Sequence, residues 1–501
     1  MGTTLQEKKP PYLMLAILFV GAFVSFLNNS LLNVALPSIM IDLNIENYST
    51  VQWLATGYML VSGVLIPASA YLITRFSNRS LFITAMIIFT LGTAMAAFAP
   101  NFSVLIAGRM VQAAGSSVMG PLLMNIMLVS FPPEKRGTAM GVFGLVMITA
   151  PAIGPTLSGY IVENYDWRLL FEMILPLSVI SLVLAVWKST NVMEVNKNAT
   201  IDTLSVILST AGFGGLLYGF SSVSNDGWTD TLVLTSLIIG GITLIAFILR
   251  QLRIEKPILD LRAYKYPMFA LASVIAIVNA VAMFSGMILT PAYVQSVRGI
   301  SPFESGLMML PGAIVMGIMS PITGKLFDKF GPRLLSIIGL IVTAISTYLL
   351  SHLQIDSSYT YIITTYTLRM FGMSMVMMPI MTNGLNQLPA TLYPHGTAIN
   401  NTAQQVSGSI GTAVLVTIMN SVAKSEGESL IANVDPTTLT ESTQALIAQK
   451  ALLAGIDYSF LVALGINIVA LVLALFIKRV DVSNKDVRRS EPAKPVKAIT
   501  N

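Results

Sequence analysis

The chain has 501 residues, 54% hydrophobic and only 11% charged, with no Cys and two His. A soluble domain carries about 25% charged residues, so a mean hydropathy of +0.74 points to a polytopic membrane protein. The missing Cys excludes disulfides and thiol chemistry, two His are too few for a histidine metal cluster, and a net charge of +5 spread over loops is no nucleic-acid signal.

A helix rising 1.5 Å per residue crosses the hydrocarbon core in about 20 residues. On that basis fourteen spans are predicted, near 12–38, 51–73, 80–99, 102–131, 137–162, 168–188, 201–222, 229–250, 268–296, 303–327, 333–353, 358–385, 395–424 and 456–478. The predicted fold is therefore an all-α polytopic membrane protein. Lys8 and Lys9 precede the first apolar run, which continues to Met40 without a small-x-small cleavage pattern, so the first span is expected to stay. An even number of spans puts both termini on one side. With that side cytoplasmic, 23 of the 29 Lys and Arg fall in cytoplasmic segments. Arg168, Arg298, Lys424 and Lys450 fall outside, and Arg109 and Arg369 lie inside the membrane.

Arg109 stands about seven residues, roughly 10 Å, into the fourth span. Its guanidinium cannot shed its proton, and burial near lipid costs at least about 2.5–3.5 kcal/mol. Gln112 at i+3 shares its face, and Gly115 admits a neighbouring helix. Two readings stay open: a structural arginine bonded to carbonyls, or a charge in a transport pathway. The fifth span, with Gly141, Gly144, Pro151, Gly154, Pro155 and Gly159, reads as a kinked, closely packed helix. In the sixth, Glu172 is the acid placed deepest in a span, with Arg168 as its i−4 neighbour. It is either a proton carrier or half of a static pair, with Glu163 and Asp166 as fallbacks.

The sequence repeats weakly. Pro67, Leu72, Phe76 and Arg79 match Pro321, Leu326, Phe330 and Arg333, and Arg109-Met110 matches Arg369-Met370. Pro121 to Asn125 matches Pro379 to Asn383, and Gly137-Thr138-Ala139 matches Gly396-Thr397-Ala398. The pattern predicts a six-helix bundle over 1–188, a linker with two extra spans over 189–267, a second bundle over 268–478 and a basic tail over 479–501. Parallel halves around a central site are a secondary-transporter architecture. The polar connection 425–455 is expected to hold a short helix or hairpin. The tail, with Lys485, Arg488, Arg489, Lys494 and Lys497, is expected to be disordered near anionic lipid. Gly324-Lys325 is followed by Leu326, so no phosphate-binding loop forms and energy must come from a gradient.

The turn after the tenth span reads Gly324-Lys-Leu-Phe-Asp328-Lys329-Phe-Gly331-Pro-Arg333. Asp328 can pair with Lys329, with Arg333 or with a helix terminus of the other bundle, a two-state latch. This turn resembles the signature loop of the major facilitator superfamily. Its first-half copy, around Thr74 and Arg75, departs at Ala70, Thr74 and Ser77. Leu105-x-x-x-Arg109-x-x-Gln112-x-x-Gly115 resembles the fourth-helix motif, whose arginine the family implicates in proton coupling. Ala150 to Gly159 resembles the fifth-helix motif of the antiporters, which seals against proton leak. Asn33 to Pro37, Trp167-Arg168 and Asn401 to Gly411 narrow the resemblance to the 14-helix drug:proton antiporters, including the lincomycin and quaternary-ammonium exporters. Asn28 stands where many such relatives have Asp, and Gln404 where an arginine is common.

The resemblance implies the major facilitator fold, with both termini cytoplasmic in a bacterial cytoplasmic membrane. It implies proton-driven export of lipophilic or cationic drugs by a monomer, with Arg109, Glu172, Gln112 and Asn28 in proton coupling and no cofactor, metal or nucleic acid. Export of a native lipid, peptide or signalling metabolite is the alternative, and a non-transporting sensor or scaffold a further one. No catalytic constellation suggests an enzyme. The substrate cavity is expected to draw polar contacts from Gln52, Tyr58, Asn279, Tyr293, Asn383 and Gln405. Met373, in a Met-rich helix, suits a promiscuous apolar wall. Arg369 serves either packing or the cavity.

Overall fold

The computed structural model describes residues 11–46, 48–193, 195–433 and 440–480, so the predicted tail beyond Val480 lies outside the described residues. The helices are α1 (Tyr12–Asp42), α2 (Tyr48–Arg75), α3 (Asn78–Ala97), α4 (Phe102–Ser116), α5 (Met119–Ser130), α6 (Arg136–Asn164), α7 (Leu169–Lys188) and α8 (Thr203–Asp226). They continue with α9 (Thr231–Arg253), α10 (Pro267–Ala292), α11 (Pro302–Phe330), α12 (Pro332–Leu350), α13 (Tyr359–Ser374), α14 (Met377–Asn386), α15 (Tyr393–Ala432) and α16 (Glu441–Ala474). Among the described residues thirteen stretches are long and apolar enough to cross a membrane, α4 and α5 counting as one. The remaining predicted crossing, 358–385, is the pair α13 and α14, each too short alone.

Both arginine-bearing spans were predicted unbroken, and both break. α4 stops at Ser116 and α5 restarts at Met119; α13 stops at Ser374 and α14 restarts at Met377. Pro121 and Pro379 account for the breaks. Each lacks an N–H, and its ring crowds the carbonyl four residues back, at Ser117 and Met375. Asn101 and Ser358 cap the two arginine helices at their starts, accepting from the Val104 and Tyr361 N–H groups. The connection 425–455 is largely helix, because α15 runs on to Ala432 and α16 begins at Glu441.

In the first half α3 packs on α4 and α7, and α1 on α6 and α7. In the second, α10 packs on α15 and α16, and α12 on α13 and α16. The halves meet along α6 against α11 and α2 against α15, while α8 pairs with α9 and leans on α2 and α15. The α6–α11 seam is built from small residues. A Cβ on Gly141 would sit 2.6 Å from the Ser320 carbonyl oxygen, and one on Gly159 would sit 3.1 Å from Phe303. Without those side chains the backbones close up, and the Ser320 hydroxyl donates to the Gly141 carbonyl at 2.9 Å.

Candidate functional site

Arg109 is 1% exposed. Its Nε donates to the Leu54 carbonyl of α2 at 3.3 Å, and Nη1 donates to Gln112 Oε1 at 3.0 Å. Gln112 passes the network on, its amide donating to Thr93 Oγ1 of α3 at 2.9 Å and to Asn28 Oδ1 of α1 at 3.4 Å. The guanidinium lies 4.3 Å from the centroid of the Tyr58 ring, a cation–π contact. Four helices are thus tied to one charge through neutral acceptors. Arg109, Gln112 and Asn28 come together; Glu172 does not join them.

Arg369 repeats the arrangement in the second half, fully buried. Nε donates to Thr347 Oγ1 of α12 at 3.3 Å, and Nη2 donates to Ser285 Oγ of α10 at 3.0 Å and to the Ala282 carbonyl. Gly286 leaves room for it: a Cβ there would fall 2.7 Å from Cζ.

Between the halves lies a cavity of about 250 Å³. Both helix breaks line it, with Ser116, Ser117 and Pro121 on one side and Val376 and Met377 on the other. Irregular backbone inside a membrane belongs where it borders a cavity or packed protein. Tyr58, Asn279 and Gln405 stand in the wall, joined by Asn29, Ser62, Asn401 and Gln404, which the sequence analysis did not assign there. The other residues expected at a cavity do not line this one. Gln52 is not part of the wall. Tyr293 is buried in an apolar cluster with Leu353 and Phe460, its hydroxyl donating to the Gln354 carbonyl at 2.6 Å. Arg369 stands behind the wall. Met373 packs in a cluster with Met316, Tyr366 and Met370. Asn383 pins the segment after α16, donating to the Lys478 carbonyl and accepting from the Val480 N–H, each at 3.0 Å.

At the end of the molecule carrying the Gly324–Arg333 turn, Asp328 bridges the halves. Its carboxylate accepts from the Gly137 and Thr138 N–H groups, each at 2.8 Å, and from the Thr138 hydroxyl at 2.6 Å. These are free donors of the first turn of α6, where helix polarity favours an anion. The helix-terminus pairing forms, whereas Lys329 and Arg333 are exposed and make no ion pair with Asp328. Gly331, at φ 80°, turns the chain into α12. Gly324 abuts the Gly137 backbone and Gly144 faces Ser320 and Met378. Arg136, which sequence reasoning counted only as a loop charge, adds bonds from Nη1 to Asn386 Oδ1 at 3.0 Å and to the Tyr393 hydroxyl at 2.9 Å. In the degraded first-half copy, Arg75 instead donates to the Lys197 carbonyl at 2.5 Å, within its own side of the molecule.

The rest of the fifth-helix motif is spread over two faces. Pro151 and Pro155 lie inside a continuous α6, and Gly154 lets Ser30 of α1 approach. Glu172 is the main correction. It is exposed in the first turn of α7 and makes no ion pair with Arg168. Arg168 Nη1 binds Asp42 at 2.8 Å and Asp166 at 3.4 Å, and the Trp167 indole N–H also donates to Asp42 at 3.1 Å. These bonds, Arg168 first and Trp167 second, hold the Asp42 carboxyl below its ordinary range. Glu163 is exposed as well. Sequence reasoning also missed Asp457 in α16, whose Oδ1 is buried with no partner among the described residues. The predicted span began at 456, so Asp457 read as a boundary residue; α16 starts at Glu441.

Residues 18–412 match the family model described as Major Facilitator Superfamily. An uncharacterized MFS-type transporter of Bacillus subtilis, YhcA, is 53% identical over 82% of this chain and 77% of its own length. The lincomycin resistance protein LmrB of the same organism is 44% identical over 96% of this chain and 98% of its own. The human organic anion transporter MFSD10 (TETRAN) superposes with a TM-score of 0.63 at 12% identity, covering 93% of this chain and 100% of that one, a likeness of fold alone.

Proposed function

We propose that this chain, which belongs to the major facilitator superfamily, exports lipophilic small molecules across the bacterial cytoplasmic membrane in exchange for protons. The observation that carries the reading is the cavity between two halves whose helix breaks line its wall, with a releasable contact across one end. Relatives named for lincomycin resistance and multidrug resistance support a drug-type cargo, which the sequence analysis took to include cations. The chain is a transporter, not an enzyme.

The Lys and Arg distribution assigns the Asp328 end to the cytoplasm. The bonds from Gly137 and Thr138 then close the cytoplasmic path, and their release lets α11 move off α6. Cargo enters from the cytoplasm or inner leaflet, the halves rock, and an incoming proton resets the cycle. Arg109, Gln112 and Asn28 act here as a junction that moves α1, α2, α3 and α4 together. With no carboxylate among their described partners, they do not themselves hold the proton.

The test is reconstitution in liposomes with an acidic lumen and a trapped pH dye. Adding a panel of lipophilic compounds of differing charge should raise the lumen pH at a rate that depends on protein and compound. No such rise with any compound, from protein that is folded and inserted, would remove the antiport reading.

A further inference from the structure

The two charged groups that contact the cavity's wall residues or their helix neighbours, Arg109 and Arg369, are both positive. Among the described residues its wall holds no Asp, Glu, Lys or Arg; the polar groups are amides and hydroxyls, such as Asn29, Ser62, Asn279 and Gln405. Immediately behind the wall stand two guanidinium groups. Arg109 lies 4.3 Å from the ring centroid of Tyr58, itself a wall residue. Arg369 grips α10 at Ala282 and Ser285, flanking the wall residue Met283.

Neither arginine forms an ion pair among the described residues; the ion pairs present belong to Arg168, Arg250, Arg262 and Lys424. Each also keeps one buried nitrogen without an acceptor, Nη2 of Arg109 and Nη1 of Arg369. A guanidinium stays charged at any physiological pH. In a low-dielectric wall, beyond the reach of salt, two unneutralised cations impose a positive potential on the space between them.

We infer that the cavity selects a compact anionic amphiphile, an aromatic or aliphatic body bearing a carboxylate, and disfavours lipophilic cations. The body fits the thioethers and rings of Met59, Met147, Met283, Phe26 and Phe284. The carboxylate accepts from wall amides and hydroxyls while the two arginines supply the missing countercharge. This deepens the export reading by naming its substrate class, and only its flux measurement rests on that reading.

Three naphthalene probes of one size test it: naphthylacetate, naphthylethanol and naphthylmethyl-trimethylammonium. Binding is measured to the full chain in lipid nanodiscs, with empty discs subtracted. Naphthylacetate should bind at least tenfold tighter than the ammonium probe, with the alcohol between them. Arg369→Gln should cut that advantage below threefold. Gln405→Glu, which places a carboxylate on the wall without touching the arginines, should reverse the order, and it decides the matter if Arg369→Gln fails to fold. Equal or tighter binding of the ammonium probe by the unaltered chain, or no binding of any probe, overturns the inference. Gradient-driven flux of the same probes is read separately. Absent flux with the binding order intact would remove the export reading and leave the charge selectivity standing.

Discussion

Asp42, Arg168 and Trp167 join α1 to the start of α7, and they explain why Arg168 does not pair with Glu172. Arg168 precedes the first residue of α7, and side chains at a helix start lean back toward its N-terminus. That direction takes the guanidinium away from Glu172, one turn further on, and onto Asp42. The spacing of four residues was legible in the sequence; a partner 126 positions away was not. Glu172→Gln should therefore leave gradient-driven transport within about twofold of wild type, and a loss beyond tenfold would return the proton to that residue. The Asp42 pKa is depressed in the folded chain, so the pair contributes fully above the ordinary carboxylate range and is lost as pH falls through the lower folded value. Both partners are partly exposed, so the contribution is small, under about 1 kcal/mol. A thermal-melt series from pH 7 down to 3 should show Asp42→Asn destabilised at pH 7 and converging on wild type at the acid end; a constant difference would contradict the assignment.

At the scale of elements, the repeat places two broken helices on opposite sides of one cavity. The matched Pro121 and Pro379 were visible in the sequence, yet hydropathy alone runs straight through both breaks because the flanking residues are equally apolar. The arginines behave likewise. Arg109 and Gln112 were legible as one helix face, but the Arg369 partners on α10 and α12 depend on packing between helices that no local spacing encodes. The α6–α11 seam has the opposite character, since its glycines and prolines announced close packing from the start. Gly141→Ala would press a methyl group onto the Ser320 carbonyl and the Pro321 backbone, neither of which can rotate away. We expect a fall of several degrees in melting temperature and at least a tenfold loss of transport. An unchanged melt and rate would mean that the seam is looser than its geometry implies.

For the whole molecule, the series of crossing helices was legible because membrane insertion writes length and hydropathy into every helix. The location of the cavity was only partly legible, since a wall is defined by which faces are left unfilled when helices meet. Tyr58, Asn279 and Gln405 fall there; Asn383 and Tyr293, equally polar, are spent on holding chain segments in place. The extra pair α8 and α9 touches both halves: Tyr218 of α8 stacks on Trp53 of α2, and the Trp228 indole, in the turn between α8 and α9, donates to Thr417 of α15 at 2.8 Å. The central claim is that the cavity opens to one side at a time and that Asp328 governs the cytoplasmic side. Because the chain has no Cys, Asn29→Cys on the cavity wall supplies a unique label site. The decisive measurement is its rate of modification by a membrane-impermeant maleimide applied from each face of sided vesicles, with and without Asp328→Asn. The account expects Asp328→Asn to shift labelling toward the cytoplasmic face by at least fivefold while slowing it from the other. Equal rates from both faces, or a ratio indifferent to Asp328, would contradict alternating access through this cavity.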